Sequence, residues 1–248
     1  MLGIGKSDIG KVRTCNEDSI FVQNSPIGCL QNLYIVADGM GGHKSGEVAS
    51  SNAVKYFCEF IENRNSEGEI LDILVEGVGY ANKKVNEMSK KDEAYSNMGT
   101  TFLAASFLQD KIYIAHVGDS RLYLVRNKEI KQLTTDHTYV MDMVRSGFIS
   151  KDEARVHPDR NIITRALGTN ESLSVDGIFN KILYNDIIVM CSDGLYEMID
   201  DNCILNIAED ISLNLERKAE KMIEYANSLG GKDNVSVILI GYWKGASL

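Results

Sequence analysis

Leu33-Tyr34-Ile35-Val36-Ala37 runs straight into Asp38-Gly39-Met40-Gly41-Gly42-His43. The first five residues are apolar and mostly β-favouring, which predicts a strand; the glycines after them allow a tight turn with a carboxylate at its start. Outward from this stretch the pattern changes in blocks. A short β-like run precedes it at residues 20–24. Two segments at helical spacing follow: 47–63, with Val48, Val54, Phe57, Phe60 and Ile61, and 70–88, with Leu71, Leu74, Val75, Val78, Val85 and Met88. β character returns at 100–108, 111–117, 121–125 and 130–133. Residues 138–167 are mixed and polar, with a short helix expected at 140–146 and breaks at Gly147, Pro158 and Gly168. Strands are expected at 173–178 and 186–191, a helix at 213–229 and a last strand at 235–241.

Strands outnumber helices and βαβ alternation is scarce, which disfavours a doubly wound parallel sheet. Two mainly antiparallel sheets packed face to face, with helices on the outside, fit the order of elements: an α+β fold in one domain. The 248 residues are 44% apolar and 25% charged, an ordinary globular balance. With 26 basic against 35 acidic side chains the net charge is −9. That disfavours a sequence-independent nucleic-acid binder, which neutralises phosphates with Lys and Arg, and suits a chain that holds divalent cations. Five irregularly spaced cysteines, with no C-x-x-C pair, read as a reduced intracellular protein. No signal peptide is visible and no apolar stretch is long enough to span a bilayer, so a cytoplasmic chain without membrane contact is expected.

Five aspartates stand at predicted strand ends or turns: Asp18 in Arg13-Thr14-Cys15-Asn16-Glu17-Asp18, Asp38, Asp119 in Val117-Gly118-Asp119-Ser120-Arg121, Asp193 in Ser192-Asp193-Gly194-Leu195, and Asp233 in Gly230-Gly231-Lys232-Asp233-Asn234. In three of the five a glycine directly adjoins the carboxylate, letting the backbone turn and present its carbonyl. Any one Asp-Gly pair is an ordinary turn. Five beside β-like runs point instead to a hard, all-oxygen site, whose chemistry prefers Mg²⁺ or Mn²⁺ to zinc or copper.

Other catalytic patterns fail. Cys58 and Arg64 have the Cys-x5-Arg spacing of cysteine-dependent phosphatases, but lie in a predicted helix without the glycines that curl amides around a phosphate. Gly5-Lys6-Ser7 lacks the first glycine of a P-loop, and the four histidines show no zinc-ligand spacing.

The motifs Arg13-x-x-Asn16-Glu17-Asp18, Asp38-Gly39-Met40-Gly41-Gly42-His43, Met98-Gly99-Thr100-Thr101, Val117-Gly118-Asp119-Ser120-Arg121, Ser192-Asp193-Gly194-Leu195 and Gly231-Lys232-Asp233-Asn234 occur in one order across residues 13–234. Together they resemble the metal-dependent protein serine/threonine phosphatases of the type 2C (PPM) family, in its compact bacterial form. The resemblance implies a four-layer α-β-β-α sandwich, a single catalytic domain over residues 1–248, and a flap subdomain at about 138–167. It implies two Mn²⁺ or Mg²⁺ ions and a third, weaker one. By position, Asp38 bridges both ions and the Gly39 carbonyl binds one; Asp193 and Asp233 hold the other, with Asp18 and Glu17 acting mostly through water. Asp119, with Asp193, matches the third ion, and Arg13 grips the substrate phosphate.

The chemistry implied is in-line attack on phosphorus by hydroxide shared between two ions, without a phosphoenzyme. Many eukaryotic members carry a histidine as the third residue of Asp-Gly-His, where this chain has Met40; His43 is then the candidate proton donor. The implied partners are phosphoserine and phosphothreonine proteins, among them a Ser/Thr protein kinase, and a monomer is expected. Two alternatives differ in class: an inactive scaffold or sensor that keeps the fold, and a phosphatase for a small phosphorylated metabolite.

Overall fold

The computed structural model describes residues 1–41, 45–64 and 68–242. Among these, one sheet runs in the order β1 (Leu2–Asp8), β11 (Val235–Gly241), β10 (Ile187–Cys191), β7 (Arg121–Arg126), β8 (Glu129–Gln132). The other runs β2 (Asp18–Gln23), β3 (Leu33–Met40), β5 (Phe102–Leu108), β6 (Lys111–Val117), β9 (Asp176–Lys181), and the two-residue β4 (Gly99–Thr100) pairs with the end of β3. Every neighbouring pair is antiparallel. Helices α1 (Ser45–Asn63) and α2 (Ile70–Lys91) cover the second sheet, and α6 (Asp201–Glu209) and α7 (Leu215–Ser228) cover the first. Among the described residues there are also three short helices, α3 (Tyr139–Arg145), α4 (Lys151–Val156) and α5 (Asp193–Tyr196), and a 3-10 turn at Glu93–Tyr95.

The four layers follow from side-chain alternation. Along β3, Tyr34 and Val36 point between the sheets, where they meet Leu103, Ile114, Met190 and Ile238. Leu33, Ile35 and Ala37 point the other way, under Phe57, Ile61, Leu74 and Val78 of α1 and α2. Along β11, Ile238 and Ile240 face the middle, while Val235, Val237 and Leu239 pack against Ala219, Met222 and Ala226 of α7. A strand buried on both faces has no polar side, which is why residues 33–37 and 237–240 read as unbroken apolar runs.

The structure departs from the sequence reading in particular places. β1 carries no apolar run because its positions at Gly3 and Gly5 are filled by neighbours: a Cβ on Gly3 would lie 2.2 Å from the Tyr34 ring, and one on Gly5 2.8 Å from Val22. The expected strand at 100–108 is broken at Thr101, and the one at 173–178 is displaced to Asp176–Lys181. β3 continues through Asp38 and Gly39 to Met40 rather than stopping at Ala37. Two helices have no long apolar period and are set by their caps: Ser150 and Glu153 form a reciprocal capping box on α4, and Asp200 caps α6.

Candidate active site

Strand register assembles the aspartates. In the β2–β3 pair, Asp18 stands directly opposite Asp38. Asp193 opens α5 immediately after β10, Asp233 lies two residues before its neighbour β11, and Asp119 sits in the turn from β6 to β7. These are matching ends of strands from both sheets, so the acidic residues gather at one end of the sandwich.

Polar groups around them hold the backbone. The Asp38 N–H donates to Thr101 Oγ1 at 2.9 Å, while the Thr101 N–H and the Thr100 hydroxyl donate to the Asp38 carbonyl at 2.9 and 2.8 Å. Ser192 donates to Asp18 Oδ2 at 2.7 Å and accepts from the Ser236 N–H at 3.0 Å. Asn234 donates to the carbonyls of Ile9 and Cys15 and accepts from the Glu17 N–H, tying the Arg13 loop to the start of β11. None of these roles is visible in spacing, because each depends on the sheets being packed.

Gly194 shows how closely the chain is drawn in. A Cβ there would lie 2.0 Å from the Asn234 carbonyl oxygen and 3.4 Å from Asp233 Cβ. Gly194→Ala is expected to cost about 3 kcal/mol, because backbone rather than a flexible side chain must yield. Thermal melting checks the loss, and phosphate release should fall with it because Asp193 and Asp233 are pushed apart.

Burial, and then crowding of like charge, sets the electrostatics. Burial first, with Asp233 adding, pushes the Asp18 carboxyl up to about 6, against the pull of hydrogen bonds from Ser236 and Ser192. Asp38 is raised well above the carboxylate range by burial and then by Asp18, Asp193, Asp119 and Asp233. Asp193 is raised by burial and then by Asp119, Asp233 and Asp18. Asp119 is pushed up to about 6 by burial and by Asp136. Against this stands Arg13, 47% exposed, whose Nη2 lies 2.6 Å from Asp233 Oδ2.

The donor set fits a divalent cation. The side-chain oxygens are hard, and buried Asp18 Oδ1 and Glu17 Oε1 have no hydrogen-bond partner. Among the described residues no three acidic, histidine or cysteine side chains close as a cage around one ion.

The structure thus brings together Asp18, Asp38, Asp119, Asp193 and Asp233, with Gly39 in β3 next to Asp38 and Arg13 on Asp233. His43 lies outside the described residues. Sequence reasoning misses Tyr196, whose hydroxyl donates to Asp119 Oδ2 at 3.2 Å, and Arg121, which lies over the Tyr196 ring at 3.5 Å. The available signal is spacing: Tyr196 is one helical turn after Asp193, and Arg121 two residues after Asp119.

Two buried histidines lie behind the Asp119 turn, their rings 4.8 Å apart. Burial first, then His137, pushes His116 down to about 3. An unfolded histidine takes a proton near pH 6.5 that the folded one refuses, so this residue supports the fold above that pH and loses its effect as pH falls. The carboxylates shift in the opposite sense, so the comparison is with His116→Gln. Between pH 6.5 and 5 the wild type is expected to lose about 2 kcal/mol relative to that variant, measured by denaturant titration.

The protein phosphatase 2C family profile matches residues 4–231. The serine/threonine phosphatase stp of Listeria monocytogenes is 37% identical over 238 residues, covering 95% of this chain and 93% of that protein. The structure of the S. agalactiae serine/threonine phosphatase superposes with a TM-score of 0.90 at 33% identity, covering 98% of this chain and 99% of that one. The catalytic domain of the serine/threonine protein phosphatase PstP, solved in complex with two manganese ions, gives a TM-score of 0.81 at 32% identity, covering 96% of each chain.

Proposed function

This chain belongs to the protein phosphatase 2C family and is a serine/threonine protein phosphatase, and from that premise we propose that its aspartate cluster is a metal centre for hydrolysing phosphoserine and phosphothreonine in proteins. The observation that carries this is the crowd of five aspartates from separate strand ends, with Asp18, Asp38 and Asp193 raised by burial and then by their acidic neighbours, and with buried Asp18 Oδ1 unpartnered. In this reading Asp38 and the Gly39 carbonyl, Asp193 and Asp233 hold two Mn²⁺ or Mg²⁺ ions. Asp18 and Glu17 act through water, and Asp119 with Asp193 takes a third, weaker ion. When bound, such ions acidify water and offset charge on a phosphoryl group.

The chain's own residues do the rest. Arg13, exposed and already paired to Asp233, is free to turn its other nitrogens to a phosphate and hold two of its oxygens. Water attacks phosphorus opposite the serine or threonine oxygen; a new P–O bond forms, the old one breaks, and the departing oxygen takes a proton. His43 is the proposed donor of that proton. A phosphocysteine route has no support: burial pushes the Cys58 thiol up to about 12, so it stays protonated in mid-helix α1.

Residues 138–167, with α3 and α4, form the proposed flap of one phosphatase domain, gating access to the centre. The proposed partners are phosphoserine and phosphothreonine proteins, including an opposing Ser/Thr kinase, and the proposed state is a monomer. Among the described residues no helix is long and apolar enough to cross a membrane. The test is kcat/KM on a phosphothreonine peptide, a phosphotyrosine peptide and a sugar phosphate. The phosphothreonine peptide is expected to be the best substrate; preference for the sugar phosphate would overturn the protein-substrate reading.

A further inference from the structure

We propose that His137 is a positioning residue, which locks the Gly118 backbone, orients Asp119 and so couples the root of the flap to the ion that Asp119 takes. The proposal rests on the reading of Asp119 as a ligand. His137 is fully buried just before the flap, and it holds both backbone groups of one glycine. Its Nδ1 accepts from the Gly118 N–H at 3.0 Å, and its own N–H donates to the Gly118 carbonyl at 2.8 Å. Gly118 has φ +103°, and a Cβ there would lie 2.6 Å from Thr101, the residue that fastens Asp38. Glycine has no intrinsic preference for that conformation, so the two bonds from His137 select it.

The imidazole is itself held. With Nδ1 accepting, the proton of the neutral ring sits on Nε2, which lies 3.2 Å from Asp176 Oδ2, off the line of an ideal hydrogen bond. Asp176 Oδ1 accepts from Arg165 at 2.8 Å, and the His137 carbonyl accepts from the Thr164 N–H at 2.8 Å, so both groups come from the returning end of the flap. A second route starts one residue earlier. Asp136 accepts from Arg121 Nε and Nη2, Arg121 covers Tyr196, and Tyr196 donates to Asp119. Adjacent residues at the flap root thus hold the loop of Asp119 and its carboxylate separately.

A filler of core volume and a positioning group make different demands on replacements. Asparagine keeps an acceptor near the Nδ1 place, whereas glutamine fills more space but carries its polar end near Nε2. Mn²⁺ alone is titrated into the full chain, with free ion read by electron paramagnetic resonance, for wild type, His137→Asn, His137→Gln, Asp176→Asn and Asp119→Asn. His137→Gln is expected to weaken the weakest binding step by about 10- to 100-fold and leave the tighter steps unchanged, with His137→Asn within about threefold of wild type. Asp119→Asn should remove that step.

Equal losses in the glutamine and asparagine variants would overturn the proposal, as would an unchanged weak step in His137→Gln while Asp119→Asn loses it. If Asp119→Asn keeps every step, the ligand reading of Asp119 fails and the proposal falls with it. Should the buried variants not fold, Asp176→Asn carries the test at a half-exposed position. A weakened last step there supports the proposal, and an unchanged one overturns it.

Discussion

Asp38→Asn is expected to abolish phosphate release and, at the same time, to raise the melting temperature of the metal-free protein. The two effects share one cause. Asp38 lies among Asp18, Asp193, Asp119 and Asp233, and burial with their charge lifts its carboxyl well above the usual range. A carboxyl raised in this way supports the fold below its unfolded value near 4, and that support is lost as pH rises through the folded value. Asp18, pushed up to about 6, is past that point at neutral pH. Each such displacement therefore weighs against the metal-free fold at pH 7.5. Removing one charge at the centre should return about 2 kcal/mol, or a rise of about 4–8 °C for a chain of this size. Turnover should fall by about 10³-fold, the scale of losing one charge-stabilising group at a reacting centre. Melting with chelator at pH 7.5, beside a phosphate-release assay with Mn²⁺, reads both. A metal-free variant that melts lower than wild type would show that the aspartates are not mutually repelling.

Arg13→Ala is expected to lower kcat/KM on a phosphothreonine peptide by about 100-fold, since charged hydrogen bonds to two phosphate oxygens are lost. Arg13→Lys should recover only part of this, because an ammonium restores charge but not the planar fork. The side chain is 47% exposed, so neither change should unfold the protein. Losing the Asp233 contact adds unbalanced negative charge to the cluster, so the alanine variant should also show a stronger rise in melting temperature on adding Mn²⁺. Steady-state kinetics with both variants check this. A change below about threefold for Arg13→Ala would remove Arg13 from phosphate binding.

The sandwich is legible in the sequence wherever a strand is buried on both faces. Residues 33–37 and Ile187–Cys191 read as β because neither face tolerates a polar group. It is illegible where a neighbour supplies the bulk: β1 is a strand because Tyr34 and Val22 lie against Gly3 and Gly5, and no local pattern records that. The short helices α4 and α6 carry too few apolar positions for periodicity, although the Ser150–Glu153 box and the Asp200 cap mark their starts.

The candidate site divides in the same way. The glycines beside Asp38, Asp119 and Asp193 are local signals, although Gly39 continues β3, Gly194 lies in α5 and only Gly118 stands in a turn. That Asp18 faces Asp38 is a fact of β2–β3 register, fixed by which side chains the core accepts. Thr101, Ser192 and Asn234 stand in the quoted motifs and His137 in none, but the use of all four comes from backbone and carboxylate groups brought near by packing.

Phosphate release from a phosphothreonine peptide, with Mn²⁺, with Mg²⁺ and with chelator, in wild type and in Asp38→Asn, is the most direct test of an aspartate-held ion centre. Release that requires a divalent ion and vanishes in the variant is the expected result. Release that persists in chelator, or in folded Asp38→Asn at the wild-type rate, would contradict it.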